Sequence, residues 1–172
     1  MTDNHETTGG RTGPSFDAFY RDEYAAVVRL AFVLTGRREL AEELAQDAFL
    51  ACHRRWETVS RYDNPRAWMR RVVTNRCVSS GRRHVTELRL AARLRRERQV
   101  DPELSDSAEQ LWSIVRRLPK RQAQTLALAF ADDLSVAMIA DTLGIGEESV
   151  RTHLRRGRAA VAAKLQELTD DA

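Results

Sequence analysis

The sequence predicts an all-α fold of two small helical domains joined by a flexible linker, and three observations carry that prediction. Apolar residues recur at spacings of three and four through nearly the whole chain, with almost no period-two alternation. Prolines stand only at positions 14, 65, 102 and 119, where they punctuate the apolar pattern. Finally, the segment "HVTELRLAARLRRERQVDPELSDS" has no Phe, Tyr or Trp, passes from basic to acidic, and separates two apolar units. A length of 172 residues accommodates one ordinary domain or two small ones, and a hydrophobic content of 42% is enough for packed cores. The expected organisation is a disordered Gly/Thr-rich tail at 1–14, a first domain at 15–83, a partly helical linker at 84–107, a second domain at 108–168 and a short tail at 169–172.

Each element has a local cause. Ser15 can cap a helix over about 16–34, with Phe16, Phe19, Tyr20, Tyr24, Val27, Val28 and Ala31 toward the core, and Thr35-Gly36 ends it. A second helix over about 38–56 buries Leu40, Leu44, Ala48, Ala51 and Cys52. The loop "ETVSRYDN" leads to Pro65 at the start of a third helix. In the second unit, Leu111, Ile114, Val115 and Leu118 form an apolar run that breaks at Pro119 and then resumes.

The formal net charge of +3 conceals a strong asymmetry. Residues 1–52 carry a net −4, residues 53–98 a net +10 from 14 arginines against 4 acids, and residues 99–172 a net −3. A central block this basic reads as a surface for a polyanion, nucleic acid first, because phosphate neutralisation releases condensed counterions. Cys52 and Cys77 never fall at metal-ligand spacing with His5, His53, His84 or His153, so reduced thiols and neither metal nor cofactor are expected. No apolar run reaches membrane-spanning length and the start lacks a signal-peptide pattern, which predicts a soluble, cytoplasmic protein without membrane insertion.

The most specific pattern lies between Asp133 and Leu165. Ser135 stands as a cap, Val136, Ile139, Ala140 and Leu143 share one face, and Gly144 and Gly146 supply a tight turn before a second helix. This is the layout of a helix-turn-helix. On the second helix, Val150, Leu154, Gly157, Val161 and Leu165 gather inward, while Glu148, Ser149, Thr152, Arg155 and Arg156 point outward, flanked by Arg151 and Arg158. Hydroxyl and guanidinium donors on one exposed face suit phosphates and base edges in a major groove.

In "NPRAWMRRVVTNRCVSSGRR", Trp68, Met69, Val72, Val73 and Cys77 share one side, and Arg70, Arg71, Thr74 and Asn75 the other. Arg76 falls in the apolar arc and is expected to snorkel to its edge. Trp68 reads as core, and Tyr62 as the exposed aromatic. The polar face, with Ser60, Arg61, Tyr62 and Asn64 before it and Arg82 and Arg83 after it, suits unpaired bases: a basic groove, a stacking ring and an amide for base edges.

Taken in order, "AEELAQDAFLACHRRW", "NPRAWMRRVVTNRCVSSGRR" and "LPKRQAQTLALAFADDLSVAMIADTLGIGEESVRTHLRRGRAAVAAKL" resemble regions two and four of the extracytoplasmic-function sigma factors, over about residues 16–168. The resemblance implies a region 2-like helical bundle and a region 4-like helix-turn-helix domain on a flexible linker, directing bacterial RNA polymerase core to promoters. It implies that Glu42, Gln46, Asp47, Leu50 and His53 meet the clamp helices of the largest polymerase subunit, and that the second domain meets the flap of the second subunit. It implies that Asn75 and the loop around Tyr62 capture melted bases of the minus-ten element, with Arg61, Asn64, Arg70, Arg71, Arg82 and Arg83 alongside. Glu148, Ser149, Arg151, Thr152, Arg155, Arg156 and Arg158 would read the minus-thirty-five element as duplex. An anti-sigma factor is a further partner the resemblance leaves open. The chain departs from the family pattern at Met138-Ile139-Ala140, where Glu-Ile-Ala is usual, and at "LALAF", where a charged residue commonly precedes the aromatic.

The residue pattern contains no catalytic constellation, so a specificity subunit without chemistry of its own is expected. Two other readings fit parts of the pattern: a stand-alone helix-turn-helix regulator of duplex operators, and a helical adaptor for acidic proteins or RNA.

Overall fold

The computed structural model describes residues 15–91 and 106–170, with side chains for 15–80 and 107–170. The described residues form eight helices and no strand: α1 (Phe16–Thr35), α2 (Arg38–His53), α3 (Trp56–Val59), α4 (Pro65–Ala91), α5 (Asp106–Val115), α6 (Lys120–Phe130), α7 (Val136–Leu143) and α8 (Glu147–Asp170). The expected tail at 1–14 and residues 92–105 of the expected linker lie outside the described residues. Helix α4 continues to Ala91 and α8 to Asp170, so helix occupies part of what was expected as linker and as C-terminal tail.

Helices α1 to α4 build the first unit. Ser15 Oγ accepts from the Ala18 amide at 3.2 Å and starts α1, and Gly36, at φ +68°, ends it in the left-handed conformation that glycine adopts without cost. The expected second helix divides. It stops at His53, and the separate turn α3 brings Trp56 against Phe19, with ring centroids 5.0 Å apart. Phe16, Tyr20, Tyr24 and Phe49 extend this aromatic cluster, which ties α1 to α2 and α3. Phe49 is buried in it although the helical pattern did not single it out. On α4, Met69, Val73 and Cys77 are fully buried and Trp68 packs against the core, as expected from the apolar side. Arg76 does reach the edge of that side, where it pairs with Asp47 at 3.6 Å.

Helices α5 to α8 form the second unit. Ser135 Oγ caps α7 through the Met138 amide at 3.3 Å, and Gly144 closes it at φ +64°. Gly144 and Gly146 both lie in the turn, and of the two Gly144 takes the left-handed backbone. The inward face of α8 is as expected, with Val150, Leu154, Gly157 and Val161 buried. Gly157 allows close packing, since a Cβ there would lie 2.9 Å from Leu126 Cδ1.

The two units pack directly on each other: α4 lies against α6 and α7, and α1 against α5 and α6. Beside this contact a groove of about 610 Å³ opens between α1 and the second unit, lined by Tyr24, Val28, Phe32, Trp112 and Phe130 among others. No helix among the described residues is long and apolar enough to cross a membrane.

Candidate nucleic-acid interface

The face of α4 expected to meet unpaired bases begins at the loop before it. Arg61, Tyr62 and Asn64 are exposed, Tyr62 to 45% as a residue, which suits a stacking aromatic. Asn64 Oδ1 accepts from the Ala67 amide at 3.0 Å, so its side-chain oxygen caps α4 and the amide nitrogen is what it can offer a base.

Farther along, the same face is engaged by the second unit. Arg70 reaches a site where only 12% of its side chain is exposed and lies between Glu23 of α1, at 3.0 Å, and Asp132 after α6. Its Nη2 donates to Asp132 Oδ1 at 3.3 Å, and its Nε donates to Oδ2. Burial lowers the Arg70 pKa, but the hydrogen bond and charge of Asp132, with those of Glu23, outweigh it and leave the guanidinium held more firmly in its charged form. Glu23 is itself buried and also receives Arg66 at 2.7 Å. Arg71 Nε donates to the Thr142 carbonyl at 2.5 Å and Nη2 to that of Asp141 at 2.9 Å, at the C-terminal end of α7. The Asp141 carbonyl also accepts the Gly144 amide at 3.3 Å, and both carbonyls lie at the negative end of the α7 dipole. Asn75 Oδ1 accepts from Gln124 Nε2 at 3.0 Å.

Thr74 departs from expectation. It was placed on the polar face, yet it is fully buried, with its hydroxyl donating back to the Arg70 carbonyl at 2.8 Å. The cause is that α4 is covered on both sides, by α1 and α2 on one and by α6 and α7 on the other. Arg82 and Arg83 belong to α4, but their side chains lie outside the described residues.

On α8 the outward residues stay open to solvent. Glu148, Ser149, Arg155 and Arg156 are exposed and Thr152 is half-buried. Arg151 pairs with Glu147 at 2.7 Å and Glu148 at 3.8 Å, exposed contacts that a phosphate can replace at little cost. The guanidinium of Arg158 sits 5.1 Å from the centre of the Phe130 ring, an aromatic at the end of α6 that stays largely exposed. The surface is therefore a helix with a basic outer face, seated on a glycine turn.

The residues on α2 expected to meet a protein partner form an outward strip. Leu50 is 54% exposed, Gln46, Asp47 and His53 are exposed, and Glu42 is half-exposed with a loose pairing to Arg38 at 3.8 Å. His53 packs edge-on to Phe16, with ring centroids 4.7 Å apart, which anchors the end of the strip. An exposed leucine amid polar groups is the composition of a protein contact.

Sequence reasoning missed Glu23, Asp132 and Gln124. Each bonds to an α4 residue 47 to 62 positions away. The available signal was polarity on a helix face otherwise apolar: Gln124 sits within an unbroken buried run from Ala123 to Leu128. Among the described residues no group of His, Cys, Asp or Glu is arranged to hold a metal ion.

Comparison with known proteins fits this geometry. Residues 19–86 match the family described as Sigma-70 region 2, and residues 108–161 match Sigma-70, region 4. The chain is 25% identical over 170 residues to the ECF RNA polymerase sigma factor SigW of Bacillus subtilis, covering 87% of this chain and 86% of the relative. It is 28% identical over 155 residues to the ECF RNA polymerase sigma factor SigM of Mycobacterium tuberculosis, covering 88% of this chain and 77% of the relative. Among solved structures, the fold is similar to the sigma factor RpoE of Bartonella quintana in complex with the anti-sigma factor NepR, at a TM-score of 0.65 and 18% identity over 86% of this chain and 96% of that one. It is also similar to CnrH in complex with the cytosolic domain of CnrY, at a TM-score of 0.62 and 22% identity over 88% of each chain.

Proposed function

The chain belongs to the extracytoplasmic-function sigma factors of bacterial RNA polymerase, and from that premise we propose how its residues direct the core enzyme to promoters. The observation that carries the reading is the division of labour among three surfaces: the strip around Leu50 on α2, the loop and polar face around Tyr62 and Asn75, and the outward face of α8. Glu42, Gln46, Asp47, Leu50 and His53 bind the polymerase core. Arg61, Tyr62, Asn64, Arg70, Arg71 and Asn75 hold the unpaired minus-ten strand, with Arg82 and Arg83 continuing the basic track. Glu148, Ser149, Arg151, Thr152, Arg155, Arg156 and Arg158 read the minus-thirty-five element as duplex.

The mechanism is differential affinity. A strand bound with its bases unpaired, stacked on Tyr62 and bonded to Asn75, shifts the duplex toward melting by as much as it binds better than the duplex does. Two modest sites on one chain then reinforce each other through effective concentration. The protein performs no chemistry itself, the polymerase supplies the catalytic centre, and the site of action is the cytoplasm. The RpoE structure holds an anti-sigma factor, and a protein of that kind is a partner of this chain as well.

The test is transcription by bacterial core polymerase on a library of random promoter inserts, with and without the protein. The proposal expects a discrete set of inserts, sharing two spaced elements, to be transcribed only when the protein is present. Transcription that is independent of the protein on every insert would contradict it.

A further inference from the structure

The groove between α1 and the second unit is lined by four aromatic rings. Phe32 and Trp112 are buried, Tyr24 is half-buried, and Phe130 is 57% exposed, more than any other large apolar side chain among the described residues. A volume of about 610 Å³ lies in the range of small-molecule sites. An aromatic ring left in water beside such a groove carries a hydration cost that an occupant relieves.

The charges around the groove give the occupant a sign. Two of its ionised lining residues, Arg38 and Glu42, pair loosely at 3.8 Å and offset each other. The third, Arg29, is exposed and donates its Nε to the Ala131 carbonyl at 3.3 Å, and among the described residues no carboxylate pairs with it. A further guanidinium, that of Arg158, lies 5.1 Å from the centre of the Phe130 ring. Aromatic surface with an excess of positive charge suits a ligand that is apolar over most of its area and negative at one end.

We propose that the groove binds a small aromatic anion, of the class of fused-ring carboxylates or sulfonates, with its rings against Trp112 and Phe130 and its negative group beside Arg29. Tyr24, Arg29 and Phe32 belong to α1, whereas Trp112 and Phe130 belong to α5 and α6. Such a molecule touches both units at once, so it favours their packed arrangement by its differential affinity. The groove is then an effector site for a small molecule.

The probe is anilinonaphthalene sulfonate, which joins two aromatic ring systems to one anionic group, and phenylnaphthylamine is its uncharged counterpart. The chain has three tryptophans, Trp56, Trp68 and Trp112, of which Trp112 lines the groove. In a nitrogen–proton correlation spectrum of the full-length protein, the Trp112 indole peak, assigned with Trp112→Phe, should shift and saturate at one probe per chain. The Trp56 and Trp68 peaks should stay in place. Ala25→Phe and Ala131→Phe fill the groove from opposite units, and each should weaken the probe by about 10-fold or more, with circular dichroism reporting that both stay folded. Arg29→Gln should weaken the sulfonate about 2- to 5-fold and leave phenylnaphthylamine unchanged. Shifts at all three indoles, no shift at any, or full affinity in both filled variants would overturn the site. Equal loss of both probes in Arg29→Gln, or loss of neither, would overturn the anionic class of the ligand. A Trp112 peak that moves on dilution of the protein without probe would assign the groove to a second copy of the chain instead.

Discussion

The guanidinium of Arg71 is bonded to the main-chain oxygen of Thr142, 2.5 Å away and 71 residues later in the chain. A residue of the polar face of α4 thus closes off the end of the first helix of the helix-turn-helix. The bond exists because α7 ends in a left-handed glycine that leaves room for the arginine.

Gly144→Ala tests that local geometry. At φ +64° an alanine is strained by about 1–2 kcal/mol, and its Cβ displaces the Arg71 tip, which is flexible enough to move. Chemical denaturation should show a loss of stability of about that size; an unchanged midpoint would mean that the turn relaxes to another backbone conformation.

Asn75→Ala should act on two readouts. Discrimination among melted minus-ten sequences should fall by about 1–3 kcal/mol while core binding is unchanged. The same variant strands the buried Gln124 amide, which costs the free protein about 1–3 kcal/mol of stability. An equal loss of affinity on every promoter sequence would count against base reading by Asn75.

Arg155→Ala should weaken binding to minus-thirty-five duplex and make its salt dependence shallower, by about one unit of slope in a plot of log affinity against log salt. The side chain is exposed, so folding should be untouched. If both slope and sequence preference stay as in the wild type, the outward face of α8 does not meet DNA.

The two thiols should be silent in the folded protein. Burial raises Cys52 to about 11 and Cys77 to about 12, the latter despite a small opposing hydrogen bond, so little thiolate exists at pH 8. Iodoacetamide should label neither until denaturant is added; rapid labelling of the native protein would refute this. Because the folded state favours the protonated thiols, their contribution is fully present below the ordinary thiol range and is lost as pH rises toward 11 to 12.

Much of the fold was legible because it is written in local spacing. Ser15 and Ser135 cap the helices they were expected to cap, and the inward faces of α1 and α8 follow the three-and-four pattern. The break between α2 and α3 was not legible, since Trp56 continues the apolar period of α2 while the chain turns to bring its ring against Phe19. The α4 face was read correctly as polar, but not its environment. A wheel assigns one buried side to a helix, whereas α4 is covered on two, and its second cover comes from residues 49 to 71 positions downstream. Thr74 shows the consequence: a polar residue is buried because it can bond its own helix backbone. Glu23 and Asp132 are the counter-charges of Arg70, a pairing no periodicity reveals.

The most direct test of the central claim is co-elution of the protein with purified bacterial core RNA polymerase in size-exclusion chromatography at moderate salt, with Leu50→Asp as control. Leu50 is 54% exposed, so the substitution should leave the fold intact while placing a charge at the centre of the α2 strip. The account predicts that the wild-type protein elutes with the polymerase and the variant elutes alone. A folded wild-type protein that elutes apart from the core would contradict it.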